Sequence, residues 1–419
     1  MYTELREFKV QTRGRTAIAH PQIQSRGQMR TPAHAQNPLT MSHRELYIDR
    51  LRTAMTALVL FTHAAMTYGG MGSWFYREIP PSHSLSSVFF TLFCVNKQAY
   101  LMGLFFLLAG YFTPASLARK GYRRFVLDRC LRLGIPLAVF GMFVGPLTVV
   151  MVEISTTSEA RSVWPTLLEV WQYDGFINGP LWFVQALLIF NLGYCAWCAI
   201  TSHDRIGFLQ KAAQTPTPVP PWRKWFFSVI AVGAAAFLLR LPFPVSDRIL
   251  GLWLGFYASY IFLFAIGITA WRNNWFAQLA WRDVRPWVII TILAWPMLPA
   301  ARLLVRGPGS DELFGGGLNL PAALFAFWEP LVAWGIIAGL LLFFRAHLNI
   351  ASPVWDWFGR RAYAVYVLHT PVLVALALLI SKWHASPMSK FMAVGTLGCI
   401  ATWVAADALL RLPGVQRIL

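Results

Sequence analysis

Long apolar runs recur along the chain, separated by short polar or basic connections. Ten of them, at approximately 51–70, 88–112, 133–152, 180–200, 225–242, 251–270, 287–305, 321–344, 362–381 and 390–410, approach the roughly 20 residues a helix needs to cross a bilayer. The first, fourth, sixth, eighth and tenth are uninterrupted. The second is long and holds Asn96, Lys97 and Gln98 in its interior, which predicts a bend or a preceding interfacial helix. The third and seventh contain Pro136, Pro146, Pro296 and Pro299, and proline at membrane depth is tolerated where neighbours re-satisfy the backbone. The pattern predicts an all-α fold: a polytopic integral membrane helix bundle of about ten transmembrane helices.

Composition agrees with this pattern. Of 419 residues, 57% are hydrophobic and 13% charged, against about 25% charged in a soluble domain; the mean hydropathy is +0.51. With ten spans, 27 of the 36 Lys and Arg fall on the side of the two tails and the even-numbered connections, 8 on the other side, and Lys97 inside a span. That bias predicts both termini in the cytoplasm. Basic loops facing anionic lipid account for most of the net charge of +18, so it calls for no nucleic acid. Residues 1–43 form a basic extension with no apolar stretch, expected to be disordered, and translation beginning at Met41 is an alternative. The membrane domain is expected over 44–411, with a short cytoplasmic tail at 412–419 and no fused soluble domain. The segment TSHDRIGFLQKAAQTPTPVPPWRK reads as a cytoplasmic hinge between four helices and six. Cys195 and Cys198 form a CxxC inside an apolar run, which reads as helix packing rather than zinc or redox chemistry.

Four stretches could carry chemistry. In IDRLRTAMTALVLFTHAAM, Arg52 and His63 stand eleven residues apart. That advance is about 20° from three full turns, so they share a helix face about 16 Å apart along the axis. His63 falls roughly 18 Å from the cytoplasmic interface, near the centre of a hydrocarbon core about 30 Å thick. An ionisable group there marks a functional site by default. Arg52 suits an anionic end of an elongated ligand and His63 its reactive end. Alternatively, Arg52 is a positive-inside anchor and His63 bonds a neighbouring carbonyl. The run ARKGYRRFVLDRCLRLGIP holds Arg119, Lys120, Arg123, Arg124, Arg129 and Arg132. Arg129 and Arg132, at i and i+3, stack on one face where the third span enters the membrane. Paired guanidinium forks suit phosphate, and Asp128 is placed to orient one of them; lipid head groups are the alternative target. In RRAYAVYVLHTPVLV, His369 lies about 10 Å in from the cytoplasmic end, with Tyr366 and Tyr363 one and two turns before it. On the outer side, Asn178, Trp182 and Gln185 form a polar-aromatic rim. Glu329 lies about 12 Å from the outer face, where it would either accept a proton from an incoming hydroxyl or pair with an intramembrane Arg or Lys. Asp407 reads as a structural partner.

This is a path with a basic inner mouth, a titratable imidazole at its centre, and an aromatic outer mouth beside a carboxylate. It fits a phosphate-bearing cytoplasmic donor meeting an acceptor from the other side, and acyl-CoA is such a donor. A transporter or flippase would also line an internal path with His and Arg, although no internal repeat is visible; a membrane scaffold is a third possibility.

Three stretches resemble the membrane acyltransferase-3 family over roughly residues 44–411. IDRLRTAMTALVLFTH resembles its opening helix, with Arg and His at Arg52 and His63. FVLDRCLRLGIPL resembles its Arg-x-x-Arg signature at Arg129 and Arg132. AYAVYVLHTPV resembles its late Tyr-x-x-His helix at Tyr366 and His369. LFFLLAGYF and LWFVQALLIF are also similar, and the chain is most like the stand-alone, glucan-modifying branch. The resemblance implies multi-pass insertion in a bacterial cytoplasmic (inner) membrane. It implies O-acyl transfer from cytoplasmic acyl-CoA, acetyl-CoA first and succinyl as the alternative, to a hydroxyl of an extracytoplasmic carbohydrate or glycolipid, with no metal. His63 would be the general base, its neutral ring favoured by burial, with a covalent acyl-histidine as the alternative. Arg52, Arg129 and Arg132 would hold CoA phosphates or stabilise the forming oxyanion, with Arg124, His369 and Tyr366 as further donor-side residues. Glu329, Trp182 and Asn178 would face the acceptor. Asn96, Lys97 and Gln185 have no role in this scheme.

Overall fold

The computed structural model describes residues 45–157, 161–201, 217–305 and 310–419. The expected N-terminal extension, the alternative start at Met41 and most of the hinge segment lie outside the described residues.

The main helices are α1 (Leu46–Thr67), α2 (Leu85–Lys120), α3 (Tyr122–Thr156), α4 (Val163–Tyr173), α5 (Trp182–Thr201), α6 (Trp222–Leu239), α7 (Tyr257–Asn273), α8 (Trp281–Ala294), α9 (Met297–Leu304), α10 (Leu320–His347), α11 (Pro353–Leu379) and α12 (Pro387–Leu410). Among the described residues, nine helical segments are long and apolar enough to cross a membrane, α8 and α9 counting as one. The 22-residue α1 makes a tenth by length, about 33 Å. It carries Asp49, Arg50 and Arg52 in its first two turns. The fold is an all-α polytopic bundle.

Sequence explains most of the boundaries. Ser84, Asn319, Ser352 and Ser386 each cap the following helix, their side-chain oxygens accepting a backbone N–H, and each of the last three is followed by proline in the first helical turn. The helix α2 runs unbroken for 36 residues, with no separate interfacial helix before it. Prolines break the seventh span as expected, at Trp295 and Pro296 between α8 and α9. The third span is not broken. Instead α3 carries two π-helical turns, Cys130–Gly134 and Phe140–Val144. Pro136 and Pro146 lack the N–H that the carbonyls of Arg132 and Met142 would receive in an α-helix. The Tyr363 hydroxyl donates to the Arg132 carbonyl at 2.7 Å and the Trp171 indole to the Met142 carbonyl at 2.8 Å. Neighbours thus re-satisfy the backbone within membrane depth.

The helix α1 lies inside the bundle, packed on α2, α10, α11 and α12. Its Arg50 is fully buried and donates to the Leu348 carbonyl, which fixes the end next to α10. The α2–α7 crossing is the most extensive helix pairing. It depends on small residues: a Cβ at Gly110 would run into the Phe264 carbonyl, and one at Gly267 into the Leu107 carbonyl. Cys195 and Cys198 are buried, unbridged thiols in the packing of α5.

Candidate active site

A cavity of about 390 Å³ opens between α1, α2, α3, α5 and α11. Its wall includes Arg52 and Thr56 of α1, Arg129 and Arg132 of α3, and Arg360, Tyr363 and Tyr366 of α11. Phe105, Leu108, Phe183 and Leu187 supply an apolar lining. The two arginines of α3 reach the same cavity although a π turn begins between them. Arg52 is paired with Asp49 at 3.6 Å and its side chain is 43% exposed, so it can turn toward a ligand. Arg129 donates to the Ser116 hydroxyl at 3.1 Å and lies over the Phe125 ring, while its Nε is buried without a partner. Arg132 stands 4.0 Å from Asp128, whose other oxygen binds Lys120 at 2.6 Å. The carboxylate therefore holds Arg132 only loosely. The arginines offer several guanidinium N–H groups to one anionic ligand.

Tyr366 borders both the cavity and the histidines behind it. Its hydroxyl donates to the Pro180 carbonyl, and its ring centre is 5.6 Å from that of His369. His369 is fully buried. Its Nδ1 lies 2.6 Å from the Tyr366 carbonyl. A carbonyl only accepts, so Nδ1 carries the hydrogen and Nε2 presents a lone pair. That Nε2 has no hydrogen-bond partner. The His63 ring stacks on His369 with centres 5.2 Å apart, and the Nδ1 of His63 is likewise buried without a partner. Two imidazoles with open nitrogens thus lie together within the membrane-spanning part of the bundle. His63 is four residues from the end of α1, closer to the loop after that helix than to its start.

One face of His63 is covered by Trp74, stacked at 3.9 Å between centres and 13° between planes, and the Trp74 ring also lies 6.0 Å from that of His369. Neither Trp74 nor Arg360 emerged from the sequence. Trp74 is one of 19 tryptophans, in the connection between the first two spans, and no periodicity distinguishes it. Arg360 counted only as a juxtamembrane charge.

The other expected site residues fall elsewhere. Arg124 is exposed and does not line the cavity. Glu329 is buried in an ion pair with Arg240. Of its two expected roles, this is pairing with an intramembrane base. Asn178 donates to the Gln185 side chain at 2.7 Å and to the Gly251 carbonyl at 3.2 Å, so it and Gln185 fasten the start of α5 to the loop before α7. Trp182 packs on Trp253 and Tyr260 at 5.5 and 5.7 Å. Lys97 lies over the Phe93 ring at 4.4 Å. Asp407 binds Arg361 at 2.6 Å and Arg411 at 2.6 Å. Among the described residues, no three His, Cys, Asp or Glu side chains gather into a metal site.

The acyltransferase-3 profile, described as an acyltransferase domain, matches residues 45–410. Similar curated proteins include those called glucans biosynthesis protein C from Salmonella paratyphi B and Salmonella enteritidis, each 26% identical over 214 residues, or 49% of this chain and 50% of the relative. The chain thus spans about half the length of the curated relatives it matches. No solved structure matches it.

Proposed function

This chain belongs to the acyltransferase-3 family, and on that premise we propose that it moves an acyl group from cytoplasmic acyl-CoA to a hydroxyl of an extracytoplasmic glycan or glycolipid. One observation carries the proposal. The arginine-lined cavity ends at Tyr366, which touches His369, which stacks on His63. A long thin donor with a charged nucleotide at one end and a thioester at the other matches that order of groups. Arg52, Arg129 and Arg132 would bind its phosphates, with Arg360 beside them. The apolar wall between Phe105 and Leu187 suits the arm. The relatives' names make a glucan the first acceptor to test, and the family resemblance makes acetyl the first acyl group and succinyl the second.

The chemistry balances with these residues alone. The acceptor hydroxyl gives its proton to an open imidazole nitrogen of His63 as its oxygen attacks the thioester carbonyl. The oxyanion collapses, the C–S bond breaks, and the CoA thiolate takes the proton from His63. Stacking on Trp74, beside His369, holds the His63 ring plane, which limits the geometries open to the attacking hydroxyl. Cytoplasmic termini and insertion in the inner membrane complete the proposal. The cytoplasmic termini follow from the distribution of Lys and Arg, and the inner membrane from the family resemblance.

The test is CoA release from acetyl-CoA by purified protein in detergent, with and without a glucan oligosaccharide. Release that rises with the acceptor and vanishes in His63→Ala supports transfer. Tight acyl-CoA binding with no release in wild type refutes it.

A further inference from the structure

The connection between α1 and α2 is built as a hinged flap whose tip rests on His63. Its neck is fixed. The backbone N–H groups of Glu78 and Ile79 both donate to the Thr67 carbonyl, at 3.0 and 3.1 Å. The Ser87 hydroxyl donates to the Gly69 carbonyl at 2.6 Å. Glu78 is further held by a buried ion pair with Lys390 of α12. Between these anchors the chain passes through Gly69 and Gly72, with φ of +118° and +135°, conformations that side-chain-bearing residues rarely adopt. The tip then turns inward. Phe75 packs against Gly179, and Trp74 lies flat on His63.

The outer part of the tip, 71–74, is held more lightly than the neck, while Tyr76 is buried in the core. Ser73 accepts a hydrogen bond from the exposed Arg248, and Met71 Sδ accepts one from Arg302 at 3.3 Å. Arg248 in turn stacks on Trp253 at 4.2 Å. Polar side-chain contacts at a partly exposed tip yield to water more readily than a buried ion pair does. The indole covers a face of the His63 ring and lies 6.0 Å from the His369 ring between centres, so the three rings form one cluster.

We propose that Trp74 is a positioning residue and the shutter on the acceptor side of the site. This rests on the acyl-transfer reading above. With Trp74 seated, the indole covers the His63 ring, and water from the loop side is kept from the thioester. An acceptor reaches His63 only when the 71–74 tip lifts. The shutter suppresses a wasteful reaction: a water oxygen attacks the thioester carbonyl, a water proton passes to His63, the C–S bond breaks, and the thiolate leaves as CoA-SH with that proton.

The experiment measures CoA release from acetyl-CoA in the absence of any acceptor, for wild type, Trp74→Ala, Trp74→Phe and Arg248→Ala. Loss of a stacked ring should raise hydrolysis roughly 3- to 10-fold in Trp74→Ala. Trp74→Phe should restore most of the suppression. Arg248→Ala, which frees the tip from a surface contact, should raise hydrolysis roughly 2- to 3-fold. A gain of rate cannot come from unfolding, so a purely structural role for Trp74 predicts the opposite sign. Unchanged or lower hydrolysis in both Trp74→Ala and Arg248→Ala overturns the shutter. If Trp74→Ala does not fold, Arg248→Ala decides. Absence of CoA release from acetyl-CoA and succinyl-CoA in wild type, with or without glucan, would instead strike at the acyl-transfer reading itself.

Discussion

The Arg240–Glu329 pair decides whether a carboxylate deep in the bundle serves chemistry or architecture. The side chains are 1% and 5% exposed. Arg240 follows the last turn of α6, where a cation is favoured by the helix dipole. It also donates through Nε to the Gly255 carbonyl at 3.0 Å and lies over the Phe325 ring at 4.8 Å. Removing the carboxylate alone, in Glu329→Ala, strands a guanidinium with no counter-charge and should cost about 3–5 kcal/mol. Removing both charges, in Arg240→Met with Glu329→Leu, strands only the Gly255 carbonyl, for about 1–3 kcal/mol. The double variant should therefore be more stable than Glu329→Ala, with a coupling energy of about 2 kcal/mol or more. Melting in detergent measures the stability arm and CoA release the activity arm. A structural pair predicts near wild-type CoA release in the double variant at a temperature where it is folded. A folded double variant with no turnover would refute this, and would return Glu329 to the acceptor side of the reaction.

Arg129→Ala should weaken acyl-CoA binding about 10- to 100-fold, the value of one charge-assisted hydrogen bond; calorimetry showing unchanged affinity would remove Arg129 from the phosphate site. Arg132→Lys should lose turnover, because a point charge does not replace a planar fork, and wild-type turnover would contradict that. Tyr363→Phe strips the donor from the Arg132 carbonyl and should lower stability by about 1–3 kcal/mol, read as a shift in denaturation midpoint. Burial pushes the Glu45 carboxyl above its ordinary value of 4.5 despite the opposing Tyr111 hydrogen bond. The folded state then holds this proton more tightly than the unfolded state, so stability is lost as pH rises above 4.5. Glu45→Gln should flatten that part of the melting-temperature profile, and identical profiles would argue against the burial effect.

The bundle was legible because membrane spans announce themselves by length and apolarity, and α5 and α10 needed no further information. The π turns of α3 were not. They arise because particular tertiary donors, Tyr363 and Trp171, reach carbonyls that proline leaves bare, and no local pattern encodes a partner more than 200 residues away (Arg132 to Tyr363). The site was partly legible. His63 and His369 are visible because an imidazole is costly within a span, and Arg52, Arg129 and Arg132 because their spacing puts them on shared helix faces. Which carboxylate faces a ligand and which meets an arginine depends on helix neighbours, so Glu329 stood open between two roles until Arg240 was placed beside it. Trp74 could not be found, because an aromatic residue in a loop carries no cost that marks it.

The hydroxyl of Tyr363 ties the helix that delivers the arginines to the helix that carries His369. Neither can slide along the other without baring a peptide oxygen inside the bilayer. Any displacement of the segment that carries Arg129 and Arg132 must therefore carry Tyr363 with it or break that bond.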